Sequence, residues 1–233
     1  MPTTEGKSKF ARLALVIALV LAAVVVTFAA FQLDDSTRDR VVAAQGKGWK
    51  KSESYRMQGA VSRYGDWPFL MLLGGAGLVV AWRLRNQRWQ RILLTAMIAS
   101  TLAGAIVNAV RLTTGLPRPR ESPKIEQGWY GPYHNGRLLI GDSRYNSFPS
   151  GHTATAVGFA GVILFASPLV GSLAMVVALA IAWSRIILGA HHPSDIAVAT
   201  LVALAIAWFA WRVAVRRGDS IAVWVTAKIR RRR

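Results

Sequence analysis

The sequence predicts an all-α membrane protein, a single bundle of six transmembrane helices. Hydrophobic residues make up 53% of the 233 residues and charged residues only 17%. Long uncharged segments recur along the chain, and the basic residues concentrate between them. The net charge is +18, but this much apolar sequence excludes a disordered chain and argues against a soluble nucleic-acid-binding protein. Because the sequence has no cysteine, disulfides, thiolate metal sites and cysteine nucleophiles are excluded.

The first apolar segment, residues 13–33, contains no charged residue. It is long enough to cross a hydrocarbon core of about 30 Å. A cleaved signal peptide is the alternative, because Lys7, Lys9 and Arg12 precede the segment. The segment is long for a signal peptide and lacks a good A-x-A cleavage site, so we predict a retained anchor helix. Further spans are predicted at residues 64–82, 92–110, 152–167, 171–188 and 195–211.

The basic residues between the spans indicate how the bundle is oriented. The segment 83–91 carries four arginines and no acid, and residues 212–233 carry eight basic residues and one acid. Such segments favour the cytoplasmic side. We therefore predict cytoplasmic termini, with 212–233 as a basic cytoplasmic tail. Within it, residues 221–229 form either a short segment lying on the inner leaflet or an untethered chain.

Three glycines, Gly74, Gly75 and Gly77, lie close together in the second predicted span. A phosphate loop would continue with Lys and then Ser or Thr, and this sequence does not. Small residues allow helices to approach closely in membranes, so we interpret these glycines as packing positions.

All four histidines, His134, His152, His191 and His192, fall in the loops or helix junctions of one predicted membrane face. Ionisable groups concentrated at one membrane depth are costly and usually functional. His134 lies outside the motifs described below and is interpreted as a loop residue. This face is therefore the predicted site of chemistry.

The segment from Arg111 to Arg120 reads RLTTGLPRPR. Arginine binds phosphate oxygens through two parallel hydrogen bonds and stays charged at any working pH. Arg111, Arg118 and Arg120 are therefore a candidate anion clamp. Contact with lipid headgroups is the alternative.

A second motif, Pro149-Ser150-Gly151-His152, opens the fourth span. Ser150 is a plausible N-cap, and Gly151 exposes backbone N–H groups where the helix dipole favours an anion. His152 follows within reach of whatever those groups bind. The alternative is a capped helix start with an unrelated histidine.

A third motif joins Ser184-Arg185 to His191 and Asp195. An arginine in an apolar helix requires an anionic partner. A carboxylate one helical turn from His191 can fix its tautomer and leave the other ring nitrogen free to attack. The alternative is that Asp195 caps its own helix. Asp195 and Asp66 are acids that border apolar spans.

Together the three segments resemble the type-2 phosphatidic acid phosphatase superfamily, whose signature is K-x6-R-P, P-S-G-H and S-R-x5-H-x3-D. The second and third motifs match completely, and their order and spacing match over about residues 64–211. The first matches at Arg118-Pro119 but has Arg111 in place of the family's lysine. Arginine keeps the charge but is longer and planar, so this departure bears on activity.

The resemblance implies a metal-independent phosphatase without cofactors that works through a phosphohistidine. It implies that His191 is the nucleophile, that Asp195 orients it, and that His152 protonates the leaving oxygen and then activates water. The implied phosphate ligands are Arg111, Arg118, Arg185, Ser150 and Gly151. Phosphoryl transfer depends mainly on positioning and charge neutralisation, which guanidinium groups can supply.

The implied substrate is a lipid phosphate at the outer face of the cell membrane. Phosphatidic acid, phosphatidylglycerol phosphate, a polyprenyl diphosphate and the lipid A phosphate are the family's candidates, and an outward site favours the polyprenyl diphosphate. The expected partners are this lipid and the bilayer, with no nucleic acid and no assigned oligomeric state. Two alternatives stay open, a disabled lipid-phosphate-binding or scaffold protein and a lipid transporter.

Overall fold

The structure is a computed structural model that describes residues 4–218. Within this range the regular secondary structure is helical except for one small β-hairpin, so the predicted all-α class is confirmed. The α-helices are α1 Thr4–Ala44, α2 Glu53–Arg63, α3 Trp67–Arg83, α4 Gln87–Thr114, α5 Gly151–Ala166, α6 Pro168–Ile187 and α7 Pro193–Ala210. Short 3₁₀ helices form at Trp49–Lys51, Pro119–Glu121 and Ser143–Tyr145, and the π-helical segment Trp211–Arg216 extends α7. The hairpin pairs β1 Tyr133–His134 with β2 Arg137–Leu138.

Four helical segments among the described residues are long and apolar enough to cross a membrane. They are Leu13–Ala44, Gln87–Glu121, Pro168–Ile187 and Pro193–Arg216. Helices α2 and α3, bent by 54° at their junction, together qualify as a fifth span. Helix α5 has only 16 residues and does not reach that length. Six crossings and cytoplasmic termini therefore stay predictions, and residues 221–229 lie outside the described residues.

The helices differ from the predicted spans mainly where polar residues continue a helix. Helix α1 ends at Ala44 rather than at residue 33, and the polar segment 34–63 contains α2 instead of being a loop throughout. Helix α4 begins at Gln87 and ends at Thr114, beyond both ends of the predicted 92–110 span. An apolar segment shows where the chain contacts lipid or the core. A helix can extend beyond that segment, because it depends on backbone hydrogen bonds and not on hydrophobic side chains.

Small residues let the central helix α5 pack closely against its neighbours. A Cβ atom added at Gly104 of α4 would lie 2.7 Å from Thr155, and one at Gly161 would lie 2.8 Å from Ala207 of α7. Buried alanines fill the same layers of the core. This arrangement gives van der Waals contact between helices without large side chains, as expected in a membrane.

The glycines of the second predicted span divide into two groups. A Cβ atom at Gly74 would lie 2.7 Å from Met97, and one at Gly77 would lie 3.1 Å from Leu93, so the packing interpretation is confirmed for both. A Cβ atom at Gly75 would meet nothing within 4 Å. The packing interpretation is therefore wrong for Gly75.

Two polar contacts attach α1 and α2 to the helices that carry the motifs. Asp34 of α1 accepts the backbone N–H of Ser194 at 2.9 Å and its hydroxyl at 2.6 Å. The Asp34 carboxylate thus caps the first turn of α7, where the helix dipole favours a negative charge. Ser62 of α2 accepts a hydrogen bond from Arg185 of α6 at 2.6 Å. Both contacts lie next to motif residues.

Candidate active site

The three motifs meet at one end of the helix bundle. Helix α4 ends there, α5 begins, α6 ends and α7 begins, and the backbone N–H of Ser150 donates to the carbonyl of Asp195 at 3.2 Å. The structure brings together every residue that the sequence predicted for the site. They are Arg111, Arg118, Ser150, Gly151, His152, Arg185, His191 and Asp195.

His191 is buried with one ring nitrogen bonded and the other without a partner. Nδ1 lies 2.7 Å from the backbone carbonyl of Ser147 and 3.2 Å from Oδ2 of Asp195. Because a carbonyl oxygen only accepts, Nδ1 carries the proton and Nε2 keeps its lone pair. Nε2 is buried and has no hydrogen-bond partner among the described residues. This is the tautomer in which Nε2 can act as a nucleophile.

The charge state of His191 follows from its surroundings. Burial, and then the positive charges of Arg185, Arg118 and Arg111, hold the pKa of His191 well below its usual value. Each effect disfavours a positive charge on the ring. The imidazole is therefore neutral near neutral pH, as an attacking nitrogen must be.

Asp195 holds the segment that carries His191. Its Oδ2 accepts the backbone N–H of His192 at 2.8 Å and the hydroxyl of Ser147. The same oxygen is the one that lies near Nδ1 of His191. Asp195 therefore caps its helix and also contacts His191, so the two interpretations from the sequence describe one arrangement.

Three motif arginines surround this position with unused hydrogen-bond donors. The Nε atoms of Arg111, Arg118 and Arg185 are buried and have no partner among the described residues. An unpaired buried donor is costly, and an anion with several oxygen acceptors would satisfy all three. The site is thus suited to a phosphoryl group.

The start of α5 completes the cradle. Ser150 is the N-cap of α5, as predicted, and its hydroxyl oxygen accepts a hydrogen bond from the Thr153 hydroxyl at 3.0 Å. A Cβ atom at Gly151 would lie 2.9 Å from Oδ1 of Asn108 and 3.5 Å from Nη1 of Arg111. A larger residue here would displace the Asn108 side chain, whereas Arg111 lies at an ordinary van der Waals distance. The helix start therefore presents its N–H groups beside Arg111.

His152 makes a side-chain contact that was not predicted from the sequence. Its Nε2 lies 2.6 Å from Oδ1 of Asp66, the residue that precedes α3. Asp66 occupies the N-cap position of α3, but its side chain makes no capping hydrogen bond. The carboxylate instead holds the His152 ring at the edge of the site.

A cavity of about 530 Å³ leads to this edge and is lined by His152, Arg185, Asp66, Ser62, Arg120 and Lys50, among others. It reaches Ala190, the residue before His191. Nε2 of His191 itself is out of contact with solvent. Any group that contacts this nitrogen must therefore displace surrounding side chains.

Three contacts of the motif residues were not predicted from the sequence, namely those made by Ser147, Ser62 and Asp66. Ser147 acts partly through its carbonyl, which every residue possesses, and Ser62 lies on a helix that hydrophobicity did not reveal. Asp66 carried a signal, since it is an acid that borders an apolar span.

Within residues 4–218, no group of three or more His, Asp or Glu side chains could hold a metal ion.

Comparison with known proteins places the chain in a family. Residues 89–219, which include all three motifs, match the model of the PAP2 superfamily. YbjG of Escherichia coli (strain K12), a candidate undecaprenyl-diphosphatase, is 36% identical over 115 residues. That alignment covers 49% of this chain and 52% of the relative, so the chain spans about half the length of this curated protein.

Two crystal structures share the fold. A transmembrane PAP2-type phosphatidylglycerolphosphate phosphatase from Bacillus subtilis gives a TM-score of 0.54 at 17% identity, covering 83% of this chain and 92% of that one. LpxE of Aquifex aeolicus gives 0.50 at 19% identity, covering 77% and 95%. The family model covers more than half of this chain, and its helices include several that can span a membrane. The chain therefore belongs to the PAP2 superfamily and is a multi-pass membrane protein.

Proposed function

We propose that this protein is a lipid phosphatase that hydrolyses a lipid phosphomonoester or diphosphate at the outer face of the cell membrane. The observation that carries the proposal is the environment of His191. Its Nε2 keeps its lone pair and has no partner among the described residues, and three arginines whose Nε–H donors are likewise unused in residues 4–218 surround it. A neutral nucleophile beside a cationic cradle matches the needs of phosphoryl transfer.

The proposed reaction has two steps. Nε2 of His191 forms a bond to phosphorus while the bond from phosphorus to the leaving oxygen breaks, and His152 gives that oxygen a proton. His152 then takes a proton from water, whose oxygen bonds to phosphorus as the bond to Nε2 breaks. Arg111, Arg118 and Arg185, with Ser150 and the Gly151 N–H, bind the phosphoryl oxygens in both steps. The Ser147 carbonyl and Asp195 stabilise the proton on Nδ1 throughout.

The apolar part of the substrate has a suitable groove next to the site. A cavity of about 300 Å³ with little polar surface lies between α3, α5 and α6, lined by Tyr64, Phe69, Leu73 and Phe159 among others. Tyr64 and Phe69 flank Asp66 in the sequence, and Asp66 contacts His152. A lipid tail in this groove would place its phosphate beside His152.

The test is phosphate release by the full-length protein in detergent, with EDTA present. The substrate panel contains phosphatidic acid, phosphatidylglycerol phosphate and polyprenyl diphosphates. We expect turnover in EDTA and a loss of about 10³-fold or more in His191→Ala, because the nucleophile is removed. His134→Ala, a histidine of the β1 strand, is the matched control and should keep full turnover. A labelled phosphoryl group that is acid-labile and alkali-stable should be trapped in the wild type and be missing from His191→Ala.

A disabled member of the family is the second candidate, and Arg111 is the feature that favours it. Arginine in place of the family's lysine presents a longer, planar group next to Gly151. If no lipid is hydrolysed while orthovanadate still binds, and Arg111→Lys then gains turnover, the disabled reading is correct. If the wild type hydrolyses a lipid and Arg111→Lys changes this turnover by less than about tenfold, the result supports the phosphatase function.

A further inference from the structure

One cationic group next to the site has no role in the proposed reaction. Arg120 lies two residues beyond Arg118 and was part of the anion clamp predicted from the sequence, but it falls outside the family signature. Two cavities, of about 530 and 580 Å³, share Arg120, Lys50 and Tyr55 in their linings. These three side chains therefore lie between the cavity that contains His152 and the neighbouring cavity. We call them the outer subsite.

The outer subsite is fixed close to the nucleophile. The backbone N–H of Arg120 donates to the carbonyl of Gly189 at 3.0 Å, and Gly189 lies two residues before His191. A Cβ atom at Gly189 would lie 2.9 Å from the Cβ of Arg120, so the two segments touch. The side chain of Arg120 also lines the same cavity as Arg185 and His152. Its guanidinium is thus adjacent to the phosphoryl cradle.

The charge at this boundary is poorly balanced. Arg120 pairs with Glu121, whose Oε1 lies 3.4 Å from Nε, beyond the usual range for a charge-assisted hydrogen bond. Lys50 adds a second positive charge, and Tyr55 adds a hydroxyl. Positive charges held together in this way favour an anion between them. That anion would lie beside a phosphoryl group bound by Arg118 and Arg185.

We propose that the outer subsite binds the second, non-transferred phosphate of a lipid diphosphate. The inference rests on the proposed phosphatase function and narrows its substrate to the diphosphate class. Nε2 of His191 attacks the terminal phosphorus, the bond from that phosphorus to the bridging oxygen breaks, and the lipid monophosphate leaves with the bridging oxygen. Arg120 and Lys50 stabilise the charge that develops on this leaving group. A lipid monophosphate has no second phosphate, so it places no such charge at the outer subsite.

The test compares farnesyl diphosphate with farnesyl monophosphate, which share one tail. Loss of a charge-assisted contact should lower kcat/KM for the diphosphate by about ten- to a hundredfold in Arg120→Gln. Turnover of the monophosphate should change by less than about threefold. Arg120→Lys keeps the charge and should recover part of the loss. Lys124→Gln removes a cation that lines only the neighbouring cavity, so it should behave like the wild type.

Binding without a lipid tail gives an independent readout. Inorganic diphosphate should inhibit the wild type more strongly than Arg120→Gln, whereas inorganic phosphate should inhibit both equally. Equal losses on both farnesyl substrates, or a wild type that prefers the monophosphate, would overturn the outer subsite while leaving the phosphatase intact. A wild type that hydrolyses neither substrate nor any other lipid would instead overturn the proposed function itself.

Discussion

At the scale of single residues, the contact between His152 and Asp66 makes a prediction about proton transfer. The carboxylate of Asp66 lies 2.6 Å from Nε2 of His152 and holds the ring at the edge of the site. Asp66→Asn keeps the shape but removes the charge that supports proton binding by His152. We expect kcat to fall by about tenfold, a fraction of what a general acid contributes. KM should change little, because proton transfer belongs to the transition state.

Two further variants separate this effect from a general loss of structure. Asp66→Glu retains a carboxylate and should restore part of kcat, which a purely structural role would not predict. Asp35→Asn removes an exposed acid that pairs with Arg38 on α1 and should leave both constants unchanged. Steady-state kinetics on the preferred lipid provide the comparison. An unchanged kcat in Asp66→Asn would show that His152 works without this partner.

The motif residues were predictable from the sequence, whereas the contacts that hold them were not. Arg111, Gly151, His191 and the other motif positions lie together at one end of the bundle, and the resemblance to the superfamily rests on the side chains at these positions. The partner of His191 at the shortest distance is the carbonyl of Ser147, an atom that any residue would supply. Because every residue has a backbone carbonyl, the type of residue does not show whether its carbonyl accepts a hydrogen bond. The sequence therefore indicated the side chain of Asp195 but not the carbonyl of Ser147.

At the scale of elements, two neighbouring glycines of α3 differ in whether they lie against another helix. Gly74 faces Met97 of α4 and Phe159 of α5, whereas the space beside Gly75 is open. Gly74→Leu should overpack this junction at a cost of about 1–3 kcal/mol and lower the midpoint of thermal unfolding in detergent by several degrees. Gly75→Leu introduces the same side chain one position away and should leave the midpoint unchanged or slightly raised, since leucine favours helix.

Equal midpoints for the two variants would mean that α3 shifts freely against its neighbours. In that case the close approach at Gly74 would not contribute to stability. A lower midpoint for Gly75→Leu alone would place the opposite face of α3 against the bundle. Both outcomes are read from the same thermal unfolding experiment.

The elements also show why hydrophobicity located the spans but not the helices that support the site. Apolar segments mark contact with lipid or core, and these were found within several residues. The extension of α1 from residue 34 to Ala44 and the whole of α2 are rich in polar residues. Their stability comes from specific contacts, such as Asp34 with Ser194 and Ser62 with Arg185. Such contacts depend on the folded bundle, and the sequence alone does not disclose them.

At the scale of the whole molecule, the short helix α5 bears on the number of crossings. Its 16 residues correspond to about 24 Å, less than a hydrocarbon core of about 30 Å. Nearly all of its residues are buried against neighbouring helices. A helix enclosed by protein does not have to match the bilayer thickness as a lipid-facing helix does. The length of α5 is therefore compatible with the six crossings that the sequence predicts.

The membrane face of the site can be tested directly because the chain has no cysteine. Ser143→Cys introduces one thiol in the segment between α4 and α5, on the side of the motifs, and Gln87→Cys introduces one at the opposite end of α4. Both positions are exposed. With an outward-facing site, a membrane-impermeant maleimide should label Ser143→Cys in intact cells and Gln87→Cys only after permeabilisation.

The two thiols must differ in labelling if α4 crosses the membrane, whichever way the bundle faces. The reverse pattern would put the phosphoryl cradle in the cytoplasm, and a lipid phosphate of the outer leaflet would no longer be a possible substrate. It would also set the four arginines of segment 83–91 outside, against the usual preference for basic segments in the cytoplasm. The labelling of these two cysteines therefore determines both the side of the membrane on which the basic segments lie and the side from which the substrate reaches the site.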